Sequence, residues 1–367
     1  MLLKELHIIN FKNIADMSLV FSSAFNCFIG KNGVGKTNIL DAIYHLSMCK
    51  SYFGLSDLQN IRHGENFFLL QGSYSRENGS DLEMCYAVRQ GQKKVLKKNG
   101  KAYSRLSEHI GLLPLVMVAP EDAVLINGGG EERRRFMDSI ISQYNSDYLY
   151  QLIRYNRALA QRNSLLRNAQ GKNVDADILE IWNMQLAESG EIIMQEREHF
   201  IQEFCRLFRD YYAGLSLSRE KAELNYKPSV KTGNLLTAYH AAQERDRILM
   251  YTTLGIQRDD LELTIGGYPV KKLGSQGQKK TFLVALKLTQ YIWLHRMTGL
   301  KPLLLLDDIF DKLDADRVAQ IIRTVGEGNF GQIFVTDTNR EHIDVLLKTQ
   351  ASNYQIFSMD AGALLPS

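Results

Sequence analysis

The first third of the chain reads as short strands over Leu2 to Asn10, Met17 to Phe21, Phe25 to Ile29, Phe67 to Tyr74 and Leu82 to Arg89, and in many of these apolar residues alternate with polar ones. A period of two predicts short strands. Asn99-Gly100, between Lys93-Lys94-Val95-Leu96 and Lys101-Ala102-Tyr103, predicts a two-residue hairpin, because both central positions of a type I′ turn take positive φ. From about Arg133 to Leu254 the period lengthens. Ile178, Trp182, Leu186, Ser189, Ile193, Phe200, Phe204, Leu207 and Tyr211 recur mostly three or four apart behind the N-cap candidates Asp175 and Asp177, which predicts a long amphipathic helix. Tyr148 to Asn168 carries a similar stripe, and Gly171-Lys172-Asn173 separates the two like the loop of an antiparallel helical pair.

The last third mixes both periods. A hairpin is expected at Gly266-Gly267, a helix from about Gln276 to Arg296, a buried strand over Leu303 to Leu306, a helix after Asp314 and a strand over Gln332 to Val335. The simplest architecture is an α/β head assembled from both chain ends, residues 1–130 and 251–367, with residues 131–250 inserted as a helical arm. Its 367 residues, 45% hydrophobic and 23% charged, are ample for such a core. No apolar run reaches the roughly 20 residues that span a bilayer, and Met1-Leu2-Leu3-Lys4-Glu5 is charged too early for a secretion signal. The expectation is a cytoplasmic protein without a membrane partner. Cys27, Cys49, Cys85 and Cys205 lack metal or disulfide spacing.

Charge is distributed unevenly around a small net value of +3. Gly91 to Arg105 holds Lys93, Lys94, Lys97, Lys98, Lys101 and Arg105 with no acid, so the predicted hairpin is strongly basic. It is either a solvated hairpin face or, together with Arg133 and Arg134, a set of phosphate contacts for DNA. Arg154, Arg157, Arg162 and Arg167 lie on the first predicted helix of the pair, and the acid-rich stretch Asp175 to Glu203 lies on the second, so pairing within the arm competes there with DNA contact.

Gly30-Lys31-Asn32-Gly33-Val34-Gly35-Lys36-Thr37 fits G-x-x-x-x-G-K-[ST] and stands directly between a predicted strand and a helix. The glycines let backbone N–H groups curl around phosphate oxygens, Lys36 reaches the β and γ phosphates, and Thr37 supplies a hydroxyl to magnesium. ATP and Mg2+ are the cofactors this pattern implies. Leu303 to Leu306 runs into Asp307-Asp308, a Walker B arrangement in which Asp307 serves the metal and Asp308 orients or deprotonates the attacking water.

Leu273-Gly274-Ser275-Gln276-Gly277-Gln278 precedes a predicted helix and resembles the L-S-G-G-Q signature of the ABC-type ATPases. Lys312-Leu313-Asp314 resembles the D-loop of the same superfamily. That resemblance implies that Ser275, Gly277 and Gln278 cap an ATP held by a second subunit, so that two chains sandwich two nucleotides. The wide spacing between the nucleotide motifs, filled by a helical insertion, resembles the SMC-like branch rather than a transporter subunit. Within it the chain is similar to the RecF family over essentially its whole length. The segments that carry this likeness include Asn10-Phe11-Lys12-Asn13-Ile14, Ala119-Pro120-Glu121-Asp122, Arg134-Arg135-Phe136-Met137-Asp138, Glu244-Arg245-Asp246-Arg247 and Gly255-Ile256-Gln257-Arg258-Asp259-Asp260. Ile256 and Gln257 stand where the family run usually has proline and histidine.

The resemblance implies an ATP-dependent homodimer that binds double-stranded DNA and gapped DNA, hydrolyses ATP slowly as a switch, and works with RecR and RecO in loading RecA, associated with the nucleoid.

Overall fold

The computed structural model describes residues 1–367 apart from 77–78, 173, 217–219, 309–329, 342, 345–352 and 366–367. The chain opens with strands β1 (Leu2–Phe11), β2 (Ile14–Val20) and β3 (Phe25–Ile29), helix α1 (Lys36–Met48), then β4 (Phe67–Ser75), β5 (Asp81–Arg89), β6 (Val95–Lys98), β7 (Lys101–Ala102) and β8 (Leu115–Val118). Helices α2 (Ala123–Asn127), α3 (Gly130–Ile141), α4 (Ser146–Asn168) and α5 (Ala176–Ser216) follow, then β9 (Ala222–Lys227), α6 (Leu235–Leu249), β10 (Asp260–Ile265), β11 (Tyr268–Pro269), α7 (Val270–Leu273) and α8 (Gln276–Thr298). The chain continues through β12 (Leu303–Leu306), β13 (Ile333–Asp337), β14 (Tyr354–Asp360) and β15 (Ala363–Leu364). Two compact units result, Met1–Asp122 with Gln290–Ser367, and Ala123–Thr289. Among the described residues no helix is long and apolar enough to cross a membrane.

Among the described residues the first unit holds two six-stranded sheets. One is antiparallel, in the order β2-β1-β4-β5-β6-β7, and its strands β4 and β5 alternate buried and more exposed residues, as a sheet with one covered face requires. The other runs β15-β14-β3-β13-β12-β8, with β14 through β8 mutually parallel. Its inner strands show no alternation: every residue of β12 and β13 is buried, because a parallel sheet is covered on both faces. Helix α1 packs against β1, β4 and β5 of the first sheet and against β8 and β13 of the second. It therefore buries almost its whole circumference, from Ile39 to Met48.

Asn99 and Gly100 both have positive φ, 48° and 80°, and Lys98 faces Lys101 across them, so the basic stretch is the expected two-residue hairpin. The paired strand begins at Val95, two residues later than the residue pattern alone marks.

In the second unit α4 and α5 form the expected antiparallel pair: Asn145 bonds Glu196, and Arg154 bonds Glu188 one helical stretch earlier on the partner. Asp175 caps α5 by accepting from the Asp177 and Ile178 amides, at 3.0 and 3.3 Å. The expectation of helix throughout residues 133–254 needs correction at β9. Ala222, Leu224 and Tyr226 alternate with polar residues there, and the strand pairs antiparallel with β10. That pairing is why residues 251–289 group with the helical unit rather than with the remainder of the C-terminal third. The helix expected after Asp314 and the segment Lys312-Leu313-Asp314 lie outside the described residues.

Candidate nucleotide site

The loop from Gly30 to Gly35 leaves the C-terminal end of β3, where open parallel sheets place ligands. Its tight path depends on Gly33 and Gly35, with φ of 82° and 109°. At Gly35 a Cβ would also stand 2.7 Å from Asn13 Oδ1, and that same oxygen accepts from Asn38 Nδ2 at 2.7 Å, so the loop is braced from β1–β2. Lys36 opens α1 and folds back over the loop; its Nζ donates to the Gly30 carbonyl at 2.7 Å and the Lys31 carbonyl at 3.0 Å. The side chain is held where the motif places it.

The next residue, Thr37, donates its hydroxyl to both carboxylate oxygens of Asp307, at 2.8 and 3.0 Å, across 270 residues of sequence. Asp307 follows β12 and is buried. Thr336, from β13, gives it another hydroxyl hydrogen bond of 2.7 Å. A hydroxyl and a carboxylate in contact form a hard-oxygen donor pair of the kind magnesium takes, so Thr37 and Asp307 fit that ion. Asp308 has a φ of 41°, a strained left-handed conformation for a residue with a Cβ, and its amide donates to the Thr336 hydroxyl at 3.0 Å.

Burial pushes the Asp307 carboxyl up from 3.8 to about 6, against the two threonine hydrogen bonds, with Asp308 and Glu121 adding to the rise. A carboxyl that holds its proton more tightly when folded favours the native state fully below pH 3.8 and loses that contribution as pH rises through about 6. The ligand-free chain is therefore expected to lose about 3 kcal/mol across that window from this group alone. Urea denaturation of the native chain and of Asp307→Asn between pH 4 and 7 checks this: the difference between the two should change across the window, and parallel curves contradict it.

In the second unit Ser275 and Gln278 cap α8 reciprocally. The Ser275 hydroxyl accepts from the Gln278 amide at 3.1 Å, and the Gln278 side chain accepts from the Ser275 amide at 2.7 Å. This is a capping box, so the signature-like residues build a well-formed helix N-terminus in their own chain. Gly277 lies in its first turn, and the neighbouring Leu273 is 67% exposed.

The expected DNA contacts separate into two groups. Lys97 and Lys101 are exposed and Lys98 is partly so, all three on the hairpin, and Lys93 is exposed in the segment just before it. Lys94 is turned inward: its Nζ lies 2.8 Å from Asp57 and donates to the Cys49 carbonyl at the C-terminal end of α1. Arg133 forms a bidentate pair with Asp260, at 2.7 and 2.9 Å, and Arg134 donates to the Asp259 carbonyl at 2.6 Å. Those three cations hold the chain's own fold. Arg154 pairs with Glu188 of the acid-rich helix, as the pairing alternative has it, whereas Arg162 is fully buried within the same unit against Asp246 of α6, outside the acid-rich stretch.

A family model described as RecF/RecN/SMC N terminal domain matches residues 2–363. The chain is 49% identical over 364 residues to the DNA replication and repair protein RecF of Bacteroides thetaiotaomicron, covering 99% of this chain and 98% of that one. The chain belongs to the RecF family. It is also 46% identical to the DNA replication and repair protein RecF of Flavobacterium johnsoniae, over 97% of this chain and 99% of that one. A solved recombination mediator protein RecF-ATP of the RecFOR pathway superposes with a TM-score of 0.90 at 29% identity, covering 99% of this chain and 97% of the other. The Smc head domain of Pyrococcus furiosus, at 18% identity and a TM-score of 0.56, shares the ABC-type ATPase fold.

Two features of this RecF-family chain were not legible in its nucleotide motifs. Lys12 reaches the buried Asp41 of α1 at 2.6 Å, and Ser51 and the Tyr52 amide complete that carboxylate's shell at 2.7 Å each. The cluster fixes α1 behind the phosphate loop, and its sequence traces are in the family likeness, where Lys12 lies in the Asn10 to Ile14 segment and Asp41 in the run from Gly30 to Tyr44. Thr336 is the other, an unremarkable threonine in an apolar strand. The Gln257 that replaces the usual histidine accepts from Tyr155 and donates to the Leu254 carbonyl at 2.6 Å, a role inside the helical unit.

Proposed function

We propose that this chain is an ATP-gated clamp on duplex DNA that serves recombinational gap repair and the maintenance of replication. The observation that carries the reading is the contact of Thr37 with Asp307: it joins the phosphate loop to the Walker B carboxylate, the arrangement needed for a triphosphate and its metal. Membership of the RecF family directs that nucleotide chemistry to DNA repair, and the solved RecF-ATP relative supports ATP as the nucleotide.

In this reading Gly30 to Thr37 cradle the triphosphate, and Lys36 exchanges its two carbonyl partners for phosphate oxygens. Magnesium, held by Thr37 and Asp307, would neutralise phosphate charge. Asp308 orients the attacking water. The helix N-terminus capped by Ser275 and Gln278 offers its positive end to the γ-phosphate bound by a second copy, so that ATP assembles a homodimer. Hydrolysis resets the clamp. Gapped duplex is the DNA target, with RecR and RecO as partners in loading RecA, in the cytoplasm at the nucleoid.

DNA contact falls to Lys93, Lys97, Lys98 and Lys101, since Lys94, Arg133 and Arg134 already have intramolecular partners. Replacing these four lysines with alanine is expected to lower ATP-dependent duplex affinity about 10-fold or more at moderate salt and to flatten the log–log salt slope by up to about 0.9 for each phosphate no longer neutralised. Fluorescence anisotropy across a salt series reads both quantities. An unchanged affinity and slope would remove the hairpin from the DNA interface.

A further inference from the structure

We infer that Thr336 is the positioning residue that sets both Walker B carboxylates, Asp307 through its side chain and Asp308 through its backbone. The inference rests on the nucleotide reading of this site and adds to it a residue that none of the motifs contains.

The topology supplies the position. In the sheet order β3-β13-β12, strand β13 separates the strand that carries the phosphate loop from the strand that carries Asp307. Parallel pairing sets Thr336 beside Phe28 on one flank, and Val335 beside Leu306 on the other. Thr336 thus stands one residue past the last rung shared with β12, level with the point where the chain becomes Asp307. Its hydroxyl is fully buried there. It donates to Asp307 Oδ1 at 2.7 Å and accepts from the Asp308 amide at 3.0 Å. A hydroxyl offers one hydrogen to donate and lone pairs to accept with, and both capacities are used here on adjacent residues.

The two bonds do different things. The bond to Asp307 fixes the carboxylate's rotation while Thr37 also contacts it. A hydroxyl that gave a lone pair to a metal ion would keep its hydrogen, so Thr37 could hold the ion and still donate to Asp307; Thr336 would fix the same carboxylate from a strand outside the phosphate loop. The bond to the Asp308 amide holds a backbone whose φ of 41° is uncommon for residues other than glycine. Side chains that support a metal-binding carboxylate in this way usually change metal affinity or turnover about 10- to 100-fold when removed.

Thr336→Val keeps the shape and removes the hydroxyl, whereas Thr336→Ser keeps the hydroxyl and removes a methyl group. ATP binding by the native chain and both variants is followed by isothermal titration as a function of Mg2+ concentration, and single-turnover hydrolysis is measured at saturating Mg2+. Thr336→Val is expected to bind ATP without metal as the native chain does, to need about 10-fold more Mg2+ for half-maximal effect on binding, and to hydrolyse about 10-fold more slowly. Thr336→Ser should return both quantities to within about threefold of native. Unchanged Mg2+ dependence and turnover in the valine variant, or a serine variant as impaired as the valine one, would overturn the inference. Failure of the native chain itself to bind Mg-ATP would instead overturn the nucleotide reading on which it rests. If the valine variant does not fold, the serine variant together with Thr336→Cys decides: a cysteine is a weak donor, so recovery by serine alone supports the hydroxyl role, and equal recovery by both contradicts it.

Discussion

Lys36→Ala is expected to weaken ATP binding at least about 100-fold, corresponding to roughly 2.7 kcal/mol, and to leave the chain monomeric in ATP. Lys36 is 4% exposed, and its ammonium is held against the phosphate loop by two carbonyls. Charge-assisted hydrogen bonds from such a group to phosphate oxygens are each worth about 1.5–3 kcal/mol, so losing two of them accounts for the effect. The same truncation leaves two loop carbonyls without their donor, but these face the site, where water can reach them, so the fold should survive. Isothermal titration with Mg-ATP, with circular dichroism as a control on folding, checks the prediction. A folded variant with native ATP affinity would show that this loop does not hold the triphosphate.

A comparably large effect is expected far from the nucleotide. Arg162→Met should destabilise the chain by about 3–5 kcal/mol, because breaking a buried ion pair leaves its partner's charge uncompensated. Arg162 and Asp246 are both fully buried at 2.7 Å, and the same guanidinium also donates to Asn183 and Thr252 at 2.8 Å each. These bonds tie α4 to α5, to α6 and to the turn that follows α6. Urea denaturation should show the loss, and the double variant Arg162→Met with Asp246→Leu should recover much of it by removing the uncompensated charge. DNA affinity of the folded fraction should stay native. A variant of native stability with weakened DNA binding would reverse the assignment and return Arg162 to the DNA interface.

Arg162 also shows what the sequence could and could not convey. Its helix was legible from the apolar stripe of Tyr148 to Asn168, and so was the possibility that it pairs within the arm. The stripe could not reveal that its partner would be Asp246 on α6, since that contact depends on how three helices pack. The phosphate loop and Asp307 were legible because their chemistry is local: a glycine-rich turn between strand and helix, and carboxylates at the end of a buried strand. Their juxtaposition through Thr37 is long-range, and only the sheet order brings it about.

The strands that the residue pattern does not mark are hidden for physical reasons. Leu115 to Val118 lies beside β12 in the parallel sheet with its first three residues buried, and so short an apolar run carries no periodicity to separate strand from helix. Ala222 to Lys227 does alternate, but six residues next to a 41-residue helix are easily absorbed into it. The basic hairpin is marked by Asn99-Gly100, whereas the inward turn of Lys94 is not, because composition cannot tell an exposed lysine from one that caps the end of α1. Thr336 is hidden for a related reason: a hydroxyl acquires a role only when the neighbouring strand ends beside it.

The proposed clamp depends above all on ATP bringing two copies of this chain together. Sedimentation velocity of the native chain, with Mg-ATP, with ATP and chelator, and with Mg-ATP plus duplex DNA, measures this directly. A monomer is expected without metal, and a shift toward dimer with Mg-ATP that duplex DNA strengthens; a chain that binds Mg-ATP yet sediments as a monomer under all three conditions would contradict the clamp.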